Sequence, residues 1–329
     1  MKTFFKVIGI ILLVVVALAA IGVSWLTLRK PAQRDASAEK IEATPERLAR
    51  GKYLVHHVSI CTDCHSERTY QYGLPFKPGR VGAGGFVWDE KIDFPGTLAA
   101  ANLTPDPETG LGKWTDGEIL RAIREGVDRE GKALFPIMPY SHFRGMSDDD
   151  AKAIVVYLRS LPPIRYEEPK KALNVPLNFI EKFIPKPLDG PVAAPDRGNT
   201  VAYGKYLVAI AACSECHASK DEKNQPIPGR EFAGGWEMIT PKFRVVPPNI
   251  TPHPSTYVGQ ATKEQFIARF RVFANYTVDN APEAPKGKNT LMPWISFSGM
   301  TDEDLGAIYD YLKTLPPVEH KVNPFPDAG

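Results

Sequence analysis

The sequence of 329 residues repeats itself once, at an interval of about 150 residues. The clearest matches are Gly-Lys-Tyr-Leu-Val, which begins at Gly51 and again at Gly204, and Cys-x-x-Cys-His, which begins at Cys61 and again at Cys213. Solenoid units recur every ~20–50 residues, so a repeat of this length indicates a duplicated domain. The chain length agrees, at roughly 100–200 residues per domain.

Each repeat predicts a small helical domain. Capping-box patterns at Thr115 and Thr262 begin one helix in each repeat, and acidic residues after Ser147 and Thr301 begin the last one. Apolar residues in that last helix recur at i, i+3, i+4 and i+7. Because no run alternates with period two, we predict an all-α fold. The predicted organisation is an N-terminal anchor (1–30), a tether (31–45), a first domain (46–163), a Pro-rich linker (164–197), a second domain (198–319) and a tail (320–329).

The linker carries six prolines between residues 164 and 196, which predicts a semi-rigid extended segment. It also contains apolar side chains that we expect to pack across the two domains and fix their placement. These residues are Leu177, Phe179, Ile180, Phe183 and Ile184.

The N-terminus carries an uncharged apolar run from Val7 to Leu28. About 20 such residues cross a membrane, whereas the apolar region of a signal peptide usually has about 7–15. We therefore favour an uncleaved anchor over a signal peptide cleaved near Ala17-Leu18-Ala19. The formal net charge of +2 gives no support for nucleic-acid binding, which needs a basic excess.

All four cysteines lie in the two Cys-x-x-Cys-His motifs, a pattern typical of c-type haem attachment. Two thiols one helical turn apart can each form a thioether with the same porphyrin. The adjacent histidine then lies under the iron of that porphyrin. A redox pair does not need the histidine, and a zinc site needs a second ligand pair that the neighbouring sequence lacks. The motifs therefore predict two haem c groups on the periplasmic side of a bacterial cytoplasmic membrane. The predicted attachment and proximal residues are Cys61, Cys64 and His65, and Cys213, Cys216 and His217.

Two pairs of methionines compete for the sixth position on the iron. Met138 and Met292 each precede a proline in an extended stretch, and we predict these two as axial ligands. Met146 and Met300 directly precede predicted N-caps, where an apolar residue packs onto the helix. We expect this second pair to be core residues.

Other polar and aromatic residues are candidates for the haem pockets. Anionic propionates need donors, for which we consider Arg80, Asn102, Arg230 and Asn249. The aromatic residues expected to pack on the first haem are Trp114 and Tyr140, and those on the second are Trp236 and Trp294. His56 and His57 lie close enough to the first motif to be considered as substitute ligands.

With these motifs, the chain resembles class I cytochrome c domains in tandem, as in the cytochrome subunits of bacterial alcohol and aldehyde dehydrogenases. The shared elements are residues 102–106, 112–116 and 138–140. The resemblance implies the cytochrome fold, His/Met ligation, and crossing of the first and last helices at Gly51 with Tyr157 and at Gly204 with Tyr311. Those subunits often carry three haem motifs and this chain carries two, so the resemblance does not specify the partner.

Three functional classes remain open at this point, one of which is a sensor or a structural assembly subunit with ligand-dependent behaviour in place of reversible electron transfer. The leading hypothesis is an electron carrier, in which both irons are closed and the partners are the membrane and redox proteins: a dehydrogenase, an oxidase or a small cytochrome. The alternative is a dihaem redox enzyme, such as a peroxidase or a thiosulfate dehydrogenase, which needs an open iron or an unusual ligand.

Overall fold

The computed structural model describes residues 2–286 and 288–326, and helices dominate them, as predicted. The helices are α1 (Lys2–Leu28), α2 (Pro45–Tyr53), α3 (Cys61–Cys64), α4 (Asp116–Glu125), α5 (Tyr140–Phe143), α6 (Asp148–Ser160), α7 (Leu177–Ile180), α8 (Thr200–Ile210), α9 (Cys213–His217), α10 (Tyr257–Gln260), α11 (Lys263–Arg271), α12 (Trp294–Phe297) and α13 (Asp302–Lys313).

The all-α prediction omits two small antiparallel sheets. The strands are β1 (Val87–Trp88), β2 (Gly96–Ala99), β3 (Ala172–Leu173), β4 (Met238–Ile239) and β5 (Arg244–Val245). In the first sheet, β2 lies between β1 and β3, with Trp88 opposite Leu98 and Gly96 opposite Leu173. The second sheet pairs β4 with β5. Pairs this short leave almost no alternating pattern in the sequence.

Four helix starts follow the predicted capping residues. Thr115 and Thr262 each close a complete capping box, at the start of α4 and α11. The hydroxyls of Ser147 and Thr301 accept hydrogen bonds from backbone N–H groups in the first turns of α6 and α13. The sequence signals for these helices are therefore confirmed.

The first and last helices of each repeat cross in direct backbone contact. A Cβ atom added at Gly51 of α2 would lie 1.9 Å from the carbonyl oxygen of Ala153 and 2.8 Å from the Cβ of Tyr157, both in α6. Gly204 of α8 meets α13 in the same way, with the Cβ of Tyr311 at 3.0 Å. Only glycine fits these crossings, and the predicted pairing of glycine with tyrosine is confirmed.

The two repeats share one hydrophobic core. Buried side chains from both, including Leu54 and Ile154 of the first and Leu207 and Leu305 of the second, form one continuous cluster. Burial of apolar area is the main favourable term in folding, so the repeats stabilise each other.

A tyrosine of the first repeat also binds the start of the last helix of the second. The Tyr53 hydroxyl donates to the carboxylate of Asp304 at 2.7 Å and accepts from the backbone N–H of Thr301 at 3.1 Å. Tyr53 thus binds the N-cap residue of α13 and a carboxylate in its first turn.

The reciprocal contact runs from the second repeat to the first. Tyr206, which matches Tyr53 in the repeated sequence, donates to Asp150 at 2.6 Å and accepts from the backbone N–H of Ser147 at 3.2 Å. Arg50 makes a bidentate ion pair with the same Asp150, at 2.7 and 2.8 Å. The two contacts are related as by a two-fold axis.

The N-terminal helix α1 is long and apolar enough to cross a membrane, and none of its residues is buried. Residues 31–43, predicted as a tether, lie along the first repeat. Gln33 donates to the carbonyl of Gly131 at 3.2 Å, and Arg34 pairs with buried Glu125 at 2.8 Å. The helix α1 is therefore connected to the first repeat by an ordered segment.

The expectation that the apolar residues of the linker pack between the repeats is wrong for two of the five. Ile180 and Phe183 are both exposed, and the Phe183 ring lies 6.2 Å from the ring of Trp25 in α1. The linker instead joins the first repeat through β3 and the end of α1. Contacts between the repeats come from the shared core and from the crossed tyrosines.

Substitution of the crossing glycines tests the helix packing. Gly51→Ala and Gly204→Ala are each expected to lower the free energy of unfolding by about 3 kcal/mol, since the added methyl overlaps a backbone carbonyl. Guanidinium denaturation followed by circular dichroism measures this change. Gly190→Ala is the control, because a Cβ there meets no atom within 4 Å and should change stability by less than ~0.5 kcal/mol. Equal stability of all three variants would contradict the crossing.

Removal of the crossed hydroxyls tests the contact between repeats. Tyr53→Phe and Tyr206→Phe are each expected to lower the free energy of unfolding by about 2 kcal/mol, because each deletes a hydrogen bond to a charged carboxylate. The same denaturation assay applies. Tyr70→Phe, at an exposed tyrosine, is the control and should be near neutral. A loss no larger than that of the control would show that the hydroxyls do not hold the repeats together.

Candidate haem sites

Each cysteine motif is directly preceded by a residue whose backbone has the left-handed conformation. Ile60 has φ 42° and ψ 40°, and Ala212 has φ 52° and ψ 36°. Positive φ is uncommon outside glycine, and a β-branched residue there is an outlier. Strained backbone conformations of this kind persist only where the surrounding structure holds them, and they are frequent at functional sites. The sequence offers no signal for this turn, since isoleucine and alanine ordinarily avoid the conformation.

The turn starts the short helices α3 and α9, in which the two cysteines lie three positions apart and therefore on one face. Burial raises the pKa of Cys61 and Cys213 to about 12 and that of Cys216 to about 11. The environment of these cysteines therefore favours the neutral thiol. Within the described residues no cluster of three or more His, Cys, Asp or Glu side chains is placed to hold a metal ion.

The histidines that follow are held by the same kind of hydrogen bond. Nδ1 of His65 lies 2.6 Å from the carbonyl oxygen of Ala101, and Nδ1 of His217 lies 2.8 Å from that of Pro248. A carbonyl only accepts, so Nδ1 carries the proton and Nε2 keeps the lone pair that an iron ligand needs. Burial lowers the pKa of both imidazoles, which favours the neutral, ligating form. Both histidines therefore fit a proximal role.

The two Met-Pro sequences form the same tight turn. Pro139, after Met138, has φ −80° and ψ 48°, and the N–H of Tyr140 donates to the carbonyl of Met138 at 2.8 Å. In the second repeat, the N–H of Trp294 donates to the carbonyl of Met292, also at 2.8 Å. These are inverse γ-turns, which lead directly into α5 and α12. Each methionine side chain is half-buried at the edge of the core.

The competing methionines lie inside the core. Met146 and Met300 are 0% and 2% exposed, which agrees with the predicted packing role. Met238, in β4, packs against a smaller apolar cluster. The assignment of Met138 and Met292 as the sixth ligands stays a prediction, and their position at the core edge is compatible with it.

The two candidate arginines differ. Nη1 of Arg80 donates to Glu67 at 3.0 Å, and the guanidinium lies 3.8 Å from the ring centroid of Tyr166. Nη2 of Arg80 is buried and has no hydrogen-bond partner within the described residues. An orphaned cationic donor of this kind fits a haem propionate. Arg230, by contrast, is exposed.

The two candidate asparagines form hydrogen bonds that hold neighbouring loops together. The Asn102 amide donates to the carbonyl of Ile164 at 2.7 Å and to the hydroxyl of Thr109 at 3.1 Å. The Asn249 amide donates to the carbonyl of Val318 at 2.8 Å and to a second carbonyl at 3.3 Å. Both hydrogens of each amide are therefore engaged within the protein, and the role of either residue as a propionate donor stays a prediction.

The candidate aromatic residues have varied surroundings. Trp114 lies half-buried against the core, and Tyr140 is buried with a hydroxyl that has no partner within the described residues. Trp294 stacks on Phe273 with ring centroids 5.2 Å apart. Trp236 instead lies beneath the ammonium group of Lys220, at 3.8 Å. Contact of these four aromatic residues with haem stays a prediction.

The two histidines considered as substitute ligands are engaged elsewhere. His56 shares a 2.6 Å hydrogen bond with the Tyr157 hydroxyl, and its other ring nitrogen lies 3.5 Å from Thr62. Nδ1 of His57 donates to the backbone carbonyl of Ser296 in the second repeat, at 2.8 Å. Both therefore have structural partners.

The acidic residue inside each cysteine motif reaches the other repeat. Asp63 accepts from the hydroxyl of Ser296 in α12, and Glu215 lies 2.7 Å from Nε2 of His142 in α5. Ser296 and His142 are matching positions, four residues after the Met-Pro methionines. Each attachment motif thus contacts the helix that follows the methionine turn of the other repeat. Sequence reasoning missed this, although both motifs carry an acid before the second cysteine.

The two attachment motifs also lie near each other. Burial, Asp63 and the nearby Cys216 together raise the pKa of Cys64 to about 12. Cys64 and Cys216 are the second cysteines of the two motifs. Together with the contacts of Asp63 and Glu215 to the opposite repeat, this places both attachment motifs at the boundary between the repeats.

Comparison with known proteins supports one type of domain, that of cytochrome c. Residues 201–316 match the family model described as cytochrome c. A diheme cytochrome c-type protein of Cereibacter sphaeroides is 27% identical over 308 residues, which cover 91% of this chain and 95% of that protein. The cytochrome c subunit of a quinone alcohol dehydrogenase of Komagataeibacter europaeus is 28% identical over 295 residues, or 86% of this chain. The cytochrome c subunit of a gluconate 2-dehydrogenase of Pantoea cypripedii is 29% identical over 302 residues, or 83% of this chain. The chain spans 59% of the length of that alcohol dehydrogenase subunit and 60% of the gluconate dehydrogenase subunit.

The environment of His56 predicts a pH dependence of stability. Burial, His57 and Lys52 lower its pKa to about 4, against about 6.5 in an unfolded chain. Between these values the unfolded state binds more protons, so the free energy of unfolding falls as the pH falls from about 6.5 to 4. Urea denaturation at several pH values should show a shallower fall for His56→Gln than for the wild type.

A comparison at pH 8 serves as the control for that experiment. Both states of the wild type hold a neutral His56 there, so any difference from His56→Gln reports only the lost hydrogen bond. An identical slope for both proteins between pH 6.5 and 4 would contradict the buried, neutral imidazole.

Proposed function

The chain contains a cytochrome c domain and is similar to cytochrome c subunits of dehydrogenases, and we propose that it is a membrane-anchored electron carrier with two covalently bound haems. The haems belong to two cytochrome c domains in tandem, residues 46–163 and 198–319. The observation that carries the proposal is the shared arrangement of both repeats: a left-handed residue, two cysteines on one helical face, and a histidine whose Nδ1 donates to a carbonyl.

The residues of the chain hold each group in place. The cysteines form the thioethers, the carbonyls of Ala101 and Pro248 fix the ring orientation of His65 and His217, and the Met-Pro turns present the methionine sulfurs. Haem iron bound in this way supplies reversible one-electron chemistry. If His65 and Met138, and His217 and Met292, held each iron, no position would remain for a substrate, which favours a carrier over a dihaem peroxidase or thiosulfate dehydrogenase.

Electrons pass within the chain between the two haems. The support is the crossed contact between the repeats, in which Asp63 and Glu215, from the two attachment motifs, reach the opposite repeat. Both motifs lie at one boundary, so a single protein offers an entry and an exit site. The donor is a periplasmic dehydrogenase, and the acceptor is an oxidase or a small cytochrome of the respiratory chain. The names of the relatives support the first of these partners.

The helix α1 anchors the protein in the cytoplasmic membrane. It is long and apolar enough to span the bilayer, and both cysteine motifs follow it. Because haem c is attached outside the bacterial cytoplasm, the repeats lie on the periplasmic side.

Absorbance spectroscopy of the haem-loaded protein tests the carrier proposal. The ferric protein should show the weak red band of iron bound to methionine sulfur, at an intensity for two haems. Carbon monoxide should leave the ferrous spectrum largely unchanged, because both irons are closed. A haem that lacks the band and binds carbon monoxide readily would favour the enzyme alternative.

Substitution of the methionines assigns the sixth ligands. Met138→Ala and Met292→Ala are each expected to remove half of the red band, because each deletes one sulfur ligand. Met146→Leu and Met300→Leu are the matched controls, since both residues lie in the core and the change conserves volume. Loss of the band in a control, or its full retention in Met138→Ala or Met292→Ala, would contradict the assignment.

A further inference from the structure

The helix α7 and the 3-10 turn after it place a polar group inward and apolar groups outward. Glu181 is 7% exposed, and both its carboxylate oxygens lie 2.9 Å from Nζ of Lys171. Ile180 and Phe183, three positions apart, are each 47% exposed, and Val175 is 73% exposed. A surface helix of a soluble protein has the opposite polarity. An outward apolar face marks a surface that meets another apolar phase.

This face is continuous with the end of α1. The Phe183 ring lies 6.2 Å from the ring of Trp25, which is exposed near the C-terminus of the helix. The ammonium group of Lys182 donates to the carbonyl oxygens of Leu26 at 2.9 Å and Thr27 at 2.8 Å. These are carbonyls of the last turn, which have no partner inside the helix. The linker segment is therefore fixed to the C-terminus of α1.

The length of α1 sets the depth of that contact. The apolar run from Val7 to Leu28 extends about 33 Å at 1.5 Å per residue, close to the ~30 Å hydrocarbon core of a bilayer. Trp25 lies one turn before the end of this run. When α1 spans the membrane, Trp25 is at the boundary between hydrocarbon and headgroups, where tryptophan is enriched. Phe183 contacts Trp25 and so lies at the same depth.

Basic groups surround the same boundary. The Arg29 guanidinium lies 4.8 Å from the Trp25 ring centroid and 4.4 Å from that of Phe183, and Lys30 and Lys186 are exposed nearby in sequence. Apolar side chains flanked by lysine and arginine are typical of segments that lie in a membrane interface, with the cations at the phosphates.

We propose that residues 175–183 form a membrane-interface segment, with Val175, Ile180 and Phe183 inserted among the lipids of the bilayer that α1 spans. The proposal rests on the membrane anchor of the proposed function and adds a second contact with the same membrane. Lipid covers this surface. Coverage of the same face by a protein is a different outcome, which the experiment below distinguishes from lipid.

The segment also orients the first repeat. The strand β3, directly before the segment, pairs with β2 of that repeat. Lys171, which binds Glu181 of the segment, donates to the carbonyl of Ala133 in the same repeat at 2.9 Å. Insertion of the segment therefore places residues 46–163 against the membrane surface. The first haem then lies in the membrane-proximal repeat, the side from which a membrane-bound redox partner is reached.

A nitroxide spin label at Ile180→Cys measures the depth of the segment. The full chain carries its haems in the reduced state in phosphatidylcholine and phosphatidylglycerol nanodiscs. Its native cysteines are bound in thioethers, so the new thiol is the only one free to react. Leu18→Cys, within α1, and Val272→Cys, on an exposed site of the second repeat, are the controls. An unchanged Soret spectrum shows that each variant is folded.

The readout is the accessibility of the label to oxygen, which concentrates in lipid, and to a water-soluble nickel chelate. The ratio of oxygen to nickel accessibility at Ile180→Cys is expected to be several-fold higher than at Val272→Cys and to approach that at Leu18→Cys. A ratio equal to that of Val272→Cys, or shielding from both reagents by covering protein, would overturn the interface segment. A water-like ratio at Leu18→Cys would instead overturn the anchor.

Discussion

The close crossing of the first and last helices in each repeat is the constraint on which both haem sites depend. Gly51 and Gly204 let the backbones touch, and the position of every site element follows from that contact. The attachment motif comes after the first helix, and the methionine turn comes before the last one. A side chain at either glycine would push these two segments apart, and with them the histidine and the Met-Pro turn of that repeat.

A second set of contacts joins the two repeats. The shared core, the crossed tyrosines and the acids of the two attachment motifs all act at one boundary. The distance between two redox centres sets the rate of electron transfer between them, so a carrier with two haems needs a fixed boundary. The ordered segment at residues 31–43 and the linker extend this order to the N-terminal helix α1.

Local patterns made much of this fold predictable. Caps at Thr115 and Ser147, the crossing at Gly51 and the cysteine motifs each depend on a few neighbouring residues or on a repeated spacing. The contact of Phe183 with Trp25 joins residues more than 150 positions apart, and nothing in composition distinguishes an exposed apolar linker residue from one that packs against protein. The left-handed Ile60 has no sequence signal, because only the surrounding structure holds it there.

The crossed tyrosines have a consequence for the history of the chain. Each repeat offers a tyrosine and receives one at the start of its last helix, which is the pattern of an isologous dimer interface, where one surface patch binds its own copy. A single-repeat ancestor with this patch would associate as a symmetric homodimer without any linker. Gene fusion would make that pairing intramolecular and would free the two halves to diverge in sequence.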